Sequence, residues 1–455
     1  MRDLVRRNLR FFLYSTLAAL ALRFLFLFRF PAITSDSFVY GDIAKNWLQH
    51  GIYGISSPDG ITPTYVRLPG YPAFLAGIFA VFGLEHYRAV LFIQLLVDVG
   101  GCLLVADLAR RLVSERAAKA AYLLAGLCPF FANYAAAALS ETLEIFFTAL
   151  ALDIAVANLQ SLDAAKPRRW IACGLAIAAS IYLRPDGGIL LASLLAYLAW
   201  LAVKSRISMR AVLTAATLLA IFSLAPLIPW TLRNYRIFHH FAPLAPRYAN
   251  EDNEYVALGF NRWVRTWIAD YASTEEIYWS VPGDNIDTAK LPSRAFDSLE
   301  QREQTQEVIA DYNEVQKIDP QLDQRFNDLA LARIHGHAFR YYVELPFLRV
   351  ADMWLRPRTE ILPSDTRWWE FNDDPLWSTL AVVLGVVSLA YIALALLGLV
   401  RGKFLPHLGL LLTFVILRSA FLATLENPEP RYTLECYPVV FVLAAACWRE
   451  TGKSN

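Results

Sequence analysis

The stretch LRFFLYSTLAALALRFLFLFRFPAITSDSFVYGDIAKNW, Leu9 to Trp47, joins a long apolar run to a short segment that carries two aspartates among aromatic residues. As a helix, Leu9–Phe30 would measure roughly 33 Å, enough to cross the hydrocarbon of a bilayer. No small-residue cleavage site follows the run, so a retained span is expected and not a signal peptide. Asp36 and Asp42 then stand at the lip of a span, where an acid needs a reason.

The remainder of the chain repeats the apolar pattern. Of its 455 residues 56% are hydrophobic and 18% charged, and the mean hydropathy is +0.37, far too apolar for a soluble protein of this length. A net charge of +1 with no dense basic run sets nucleic acid aside as a partner. Cys102, Cys128, Cys173 and Cys447 lie inside apolar segments and Cys436 begins one, without CxxC spacing. Neither a disulfide nor a zinc site is implied.

Loops rich in Lys and Arg belong on the cytoplasmic side. Placing RDLVRRNLR, ARRLVSERAAK, KPRRW, KSRISMR, RGK and WRETGKSN there makes the intervening segments cross in pairs. The expected spans are Leu9–Phe30, Ala89–Leu108, Ala118–Leu139, Thr142–Gln160, Trp170–Leu183, Gly187–Val203, Ala211–Ile228, Leu376–Val400, Phe404–Leu425 and Thr433–Trp448. Pro69–Gly83 is short for a crossing and reads as an interfacial or re-entrant helix.

The expectation is an all-α integral membrane protein, a polytopic bundle of about ten spans with juxtamembrane helices and both termini inside. A membrane core over 1–248 would precede a mainly helical extracytoplasmic insert over 249–375 and C-terminal spans over 376–455. Within the insert, Arg294–Val315 and Pro320–Tyr342 look helical, and Tyr341–Leu355 reads as a helix lying on the membrane surface.

Under this topology SDSFVYGD, TYVRLPGYP, LSETLE, LRPDGG, PWTLRNYR and ENPEPRY all emerge on the outer side. On a helix, Asp36 shares a face with Tyr40, Ile43 and Trp47, while Asp42 points about 120° away. Lys45, three residues on, offers Asp42 an ion pair. Asp36 reads either as a helix cap, worth about 1 kcal/mol, with Ser35 as the alternative cap, or as a catalytic carboxylate. Glu141, between two apolar runs, should face protein or a water-filled cavity; a solvated turn is the other reading, and it suits Glu144 less.

Arg67, Arg184, Arg233 and Arg431 each sit at a membrane boundary before Pro, Asn or Tyr or close to one. One such arginine is ordinarily an interface anchor. Four on the side where positive charge is sparse fit a shared anion, and guanidinium geometry suits phosphate. Tyr40, Tyr71, Asp186, Asn234 and Tyr432 lie in the same segments and are the candidate lining of a substrate cavity. Asp98, Asp153 and Arg418 lie inside spans, which fits function or interhelical hydrogen bonding equally. His335 and His337 would point about 200° apart on a helix, and His239 and His240 are adjacent, so neither pair forms a metal site.

In order, SDSFVY, RLPGYPAFLA, LSETLEIFFTALAL, LRPDGGILL, PWTLRNYRIF and EPRYTLECYPVV resemble the bacterial members of the GT-C glycosyltransferase superfamily, nearest to the protein O-mannosyltransferase-like and aminoarabinose lipid A transferase-like groups. The resemblance covers Leu9–Tyr248 and Leu376–Trp448. It implies a bacterial plasma-membrane enzyme that moves a hexose or pentose from a polyprenyl-phosphate-linked donor to a protein, lipid or glycan acceptor outside the cytoplasm, with inversion.

The resemblance also implies residue roles. Asp36 corresponds to the first-loop acid that serves as general base or orients the acceptor, Glu141 to a second acid, and Arg67 to a contact of the donor phosphate. Arg184, Arg233 and Arg431 fall in family-like motifs. The chain departs from the pattern where Ser37, and not a second acid, follows Asp36. No cofactor is called for, and whether a divalent metal takes part is left open by the residues. Two other classes compete, a ligase using a diphosphate-linked glycan and a lipid-sugar flippase. The flippase would need motifs on both faces.

Overall fold

The computed structural model describes residues 1–162, 166–204, 208–252, 254–372, 374–402 and 405–449. The basic segments KSRISMR, RGK and WRETGKSN, and Phe404 at the head of one expected span, fall wholly or partly outside those residues. Among the described residues six helices are long and apolar enough to cross a membrane: Leu9–Arg29, Tyr87–Leu112, Glu141–Leu159, Pro185–Lys204, Met209–Phe238 and Pro375–Arg401. The chain is a helical integral membrane protein. Its described strands are a four-residue antiparallel pair, Gly54–Ser57 with Gly60–Pro63, in which Gly54 faces Pro63.

The ten expected segments are helical, but several are shorter than expected. Ala118–Leu139 is divided into Glu115–Gly126 and Pro129–Ala135. Pro129 lacks an N–H and drives Cys128 to extended backbone, which ends the first piece. Thr433–Trp448 becomes a 3-10 stretch, Pro430–Cys436, followed by the short helix Tyr437–Ala445. Apolar on every side, that helix is buried in protein along its whole length, as such helices must be. Pro69–Gly83 forms the thirteen-residue helix Gly70–Phe82, too short to cross.

The chain divides into two compact units, one of Met1–Asp252, Ala390–Arg418 and Leu434–Asn455, the other of Asn253–Leu389 and Ser419–Thr433. The expected C-terminal spans are therefore shared between the two. In the first unit the opening span is fixed by Arg23, which has no exposed surface. Its guanidinium pairs with Asp98 of helix Tyr87–Leu112 and donates to the Ala19 carbonyl at 3.0 Å and the Gly126 carbonyl at 2.6 Å. Asp98, open in sequence between function and hydrogen bonding, is held by this pair; Asp153 likewise accepts from Arg111 at 2.7 Å.

The second unit has a core of Phe260, Trp263, Trp267, Ile309, Tyr312 and Phe326. Of its two expected helices the first begins later than the sequence implied and the second, which begins at Pro320 as expected, ends earlier. Ser298 caps Leu299–Val315, so Arg294 lies ahead of the helix in a 3-10 turn. Asp319 caps Pro320–Gly336, and the chain leaves helical geometry at His337. Glu360 buries both carboxyl oxygens, and burial pushes its carboxyl up to about 7.

Two outcomes follow from these burials. Replacing Arg23 by leucine leaves the Asp98 carboxylate unpaired in an apolar interior, and detergent-solubilised protein should lose about 3–5 kcal/mol of unfolding free energy; the double replacement Arg23→Leu, Asp98→Leu should recover most of it. A carboxyl raised in the fold stays protonated where the unfolded chain has ionised, so its contribution to stability falls as pH rises from the usual carboxylate range to about 7. At about 1.4 kcal/mol per pH unit, thermal melts of Glu360→Gln against the unaltered protein should diverge between about pH 5 and pH 8, with the variant gaining.

Candidate active site

The helix Ser35–His50 begins at Thr34, which forms a capping box with Ser37: the Ser37 hydroxyl accepts from the Thr34 N–H at 3.0 Å. Neither Asp36 nor Ser35 is the cap. Asp36 occupies the first turn, where unsatisfied N–H groups favour a negative charge, and its carboxylate pairs with the Arg67 guanidinium at 2.8 Å. Asp42 points elsewhere, as its helical phase implies. It accepts from the Ser56 N–H at 2.6 Å and hydroxyl at 2.8 Å, with Lys45 at 3.4 Å, and so fastens the hairpin to the helix.

Arg67 also lies over the Tyr40 ring at 5.8 Å, and Tyr40 meets Tyr71 edge to face at 5.0 Å. Burial pushes the Tyr40 phenol up to about 12, so it is a neutral hydrogen-bond donor at any physiological pH. The Tyr71 hydroxyl donates to Gln94 at 2.6 Å, and Gln94 donates to the Ala137 carbonyl at 2.7 Å. Two close approaches hold this group in place. A short backbone bridge joins Ala32 to the 136–138 segment with bonds of 2.9 Å, and a β-carbon at Gly70 would stand 2.5 Å from the Tyr182 carbonyl oxygen. The first packs the Asp36 loop on the chain leading to Glu141; the second brings RLPGYP against the end of the helix that delivers Arg184.

Arg184 ends the helix Pro167–Leu183 in extended conformation before Pro185. Its guanidinium stands 3.4 Å from Asp186, 3.7 Å from Glu144 and 4.0 Å from Glu141. Glu141 and Glu144 share the first turn of Glu141–Leu159, both 2% exposed, and the Ser140 hydroxyl donates to Glu144 at 2.5 Å. Arg418 pairs with Asp186 at 3.0 Å and with Glu435 at 2.8 Å. Tyr40 lies within electrostatic reach of Asp36, Arg67, Glu141 and Arg184.

The other sequence candidates have partners of their own. Arg233 donates at 2.7 Å to the carbonyls of both Thr64 and Tyr53 and at 2.9 Å to Asn234. Rings of Tyr53, Trp230 and Phe238 enclose it at 5.3–5.4 Å. Asn234 is fully buried and donates to the Ala242 carbonyl at 2.8 Å. These two clamp the segment around the hairpin, and Tyr53, which accepts from Arg233, donates its hydroxyl to the Arg67 carbonyl at 2.8 Å. Arg431 and Tyr432 belong to the second unit, where Arg431 pairs with Glu429 at 2.7 Å and the Tyr432 hydroxyl bonds the same carboxylate.

Among the described residues no three His, Cys, Asp or Glu side chains are grouped to hold a metal ion, and the acids of the site face arginines. No step is routed through a metal here. Sequence reasoning passed over Glu435 and gave Arg418 only a general weight. The available signal was a lone charge in each of two apolar runs, which calls for a buried partner.

Residues 63–230 match the model of the dolichyl-phosphate-mannose-protein mannosyltransferase family. That segment contains Arg67, Tyr71, Glu141, Arg184 and Asp186; Asp36 precedes it. The fold is similar to that of the archaeal oligosaccharyltransferase AglB from Archaeoglobus fulgidus in complex with an inhibitory peptide and a dolichol-phosphate, at TM-score 0.51 and 12% identity over 96% of this chain and 50% of that one. The Archaeoglobus fulgidus oligosaccharyltransferase tethered to an acceptor peptide gives TM-score 0.52 and 14% identity over 96% and 49%. A lower similarity, TM-score 0.41 at 14% identity over 94% and 77%, is to ArnT from Cupriavidus metallidurans bound to undecaprenyl phosphate. The chain spans about half the length of the oligosaccharyltransferases it matches. Comparison with curated proteins gives no match. Residues 63–230 of this chain are thus similar to the dolichyl-phosphate-mannose-protein mannosyltransferase family, and its fold is similar to that of an archaeal oligosaccharyltransferase.

Proposed function

We propose that the protein moves a sugar from a polyprenyl monophosphate carrier to an acceptor on the extracytoplasmic side of a bacterial plasma membrane, with Asp36 as general base. The observation that carries the reading is the Asp36–Arg67 pair at 2.8 Å, in the first turn of a helix and beside a tyrosine that senses Glu141 and Arg184. A guanidinium neighbour favours the ionised carboxylate, which is the form that accepts a proton. The acceptor gives its proton to Asp36 as it bonds to the anomeric carbon. On the opposite face the bond from that carbon to the phosphate oxygen breaks, and its electron pair leaves with the phosphate. A single displacement of this kind inverts the centre.

Phosphate is a good leaving group, so the protein has to stabilise its developing charge and position both reactants. Arg67 and Arg184 are the cations available for that task, and Tyr40 supplies a neutral O–H. Glu141, Asp186 and Glu435 orient the arginines. The carrier's lipid tail stays in the bilayer while its head reaches these loops, with both termini of the chain cytoplasmic.

A second reading is favoured by the likeness to an oligosaccharyltransferase: the donor would carry a preassembled glycan on a diphosphate. Purified protein in liposomes, supplied with labelled sugar on monophosphate or diphosphate carriers, separates the two. Transfer from the monophosphate carrier is expected; transfer from the diphosphate carrier alone would establish the second reading. Asp36→Asn should lower transfer by about 100-fold or more at unchanged protein amount, and near-normal transfer by that variant would sink the assignment of the base. Arg67→Lys, which keeps the charge but loses the two-pronged geometry, should raise the KM for the lipid donor several-fold.

A further inference from the structure

In the second unit the stretch 339–355, a wide turn at Arg340–Glu344 followed by the helix Leu345–Leu355, presents large apolar side chains outward. Phe339 and Phe347 are each 71% exposed, Tyr342 67% and Val343 50%. Leu348 and Leu355 continue the row. The spacing of three and four residues puts them on one stripe. The opposite side carries the polar anchor. Arg349, 1% exposed, donates to the carbonyls of Ile268 at 2.8 Å and Arg265 at 2.5 Å, and Met353 packs with Leu422 and Tyr432. An exposed apolar row of this length is unfavourable in water and marks a covered surface.

Contacts within the same unit set its level. The Trp354 indole donates to Ser419 at 3.1 Å, Arg358 donates to Ser388 at 2.7 Å, and Pro357 packs on Gly385. Gly385 and Ser388 belong to the spanning helix Pro375–Arg401 of 27 residues. Such a helix is about 40 Å long and exceeds the hydrocarbon by about 10 Å, and Gly385 lies about 15 Å from its Pro375 end. With the excess shared between its two ends, the close of the stretch is therefore tied to the span about 10 Å inside the hydrocarbon edge. Around that level the span itself also exposes the apolar side chains of Val383 and Val386.

We propose that residues 339–355 lie in the bilayer boundary, with Phe339, Tyr342, Val343 and Phe347 among the acyl chains, and that this element seats the second unit on the membrane. The occupant of the face is the apolar interior of the lipid and not anionic head groups. Within the stretch Arg340 is already paired with Asp297 at 2.7 Å, Arg349 is buried, and Glu344 is the exposed charge.

The test uses the full chain in phosphatidylcholine nanodiscs, with the half-buried Cys447 replaced by serine and a nitroxide carried in turn at Val343→Cys, Phe347→Cys and, as the aqueous control, Glu303→Cys. The expected result is a higher collision rate with oxygen than with a water-soluble nickel chelate at 343 and 347, and the reverse at 303, unchanged when phosphatidylglycerol is added. Nickel accessibility at 343 and 347 equal to that at 303 overturns the proposal. Dipolar broadening between labels on separate chains at high lipid dilution overturns it as well, because a second copy would then cover the face.

Discussion

A guanidinium enclosed in a membrane protein must find all its partners inside the protein, because neither water nor lipid will supply them. Arg23 meets that demand through Asp98 and two backbone carbonyls, and in doing so it fixes the rotation and height of the first span. The loop that leaves this span then has little freedom. It is stitched by Ala32 to the 136–138 segment within a few residues, and Thr34 starts the next helix with Asp36 in its first turn. Arg418 does the same for the other side of the site, where one buried guanidinium holds both Asp186 and Glu435. The loops that carry Asp36 and Asp186 are thus each held through a buried guanidinium.

The arginines of this chain divide by what accepts from their forks. Arg233, Arg333 and Arg349 give donors to main-chain carbonyls, and so stiffen loops that lack regular structure. Arg67, Arg184 and Arg418 instead face carboxylates. The first kind satisfies backbone acceptors; the second is held against acids. Sequence position alone does not separate them, since Arg233 and Arg67 both lie at apparent membrane edges beside proline or asparagine.

That limit explains which parts of the molecule could be read from the chain. Apolar length is a strong one-dimensional signal, so Leu9–Phe30, Thr142–Gln160 and Leu376–Val400 fall within one to a few residues of the helices found. The 120° separation of Asp36 from Asp42 is a local property of a helix and was equally legible. Breaks at Pro129 and before Tyr437 shortened two segments whose composition alone implied full crossings. Asp36 and Ser35 are both good capping residue types, but Thr34 holds the position because Ser37 answers it across one turn. The pairing of Arg418 with Asp186 joins residues far apart in sequence and had no local trace. Nor had the partners of Arg233, which are carbonyls that any sequence would offer.

In the role proposed for Asp36, its place in the helix bears on what happens after a proton has been taken up. Both the helix N-terminus and Arg67 favour the charged carboxylate, so the neutral acid would be the unfavourable state of the pair. A base held in this way is weak, but it discards its proton readily and regains its charge without help from a second group. Such a base suits a reaction whose difficulty lies in assembling two reactants at a membrane surface, because it is restored between one turnover and the next.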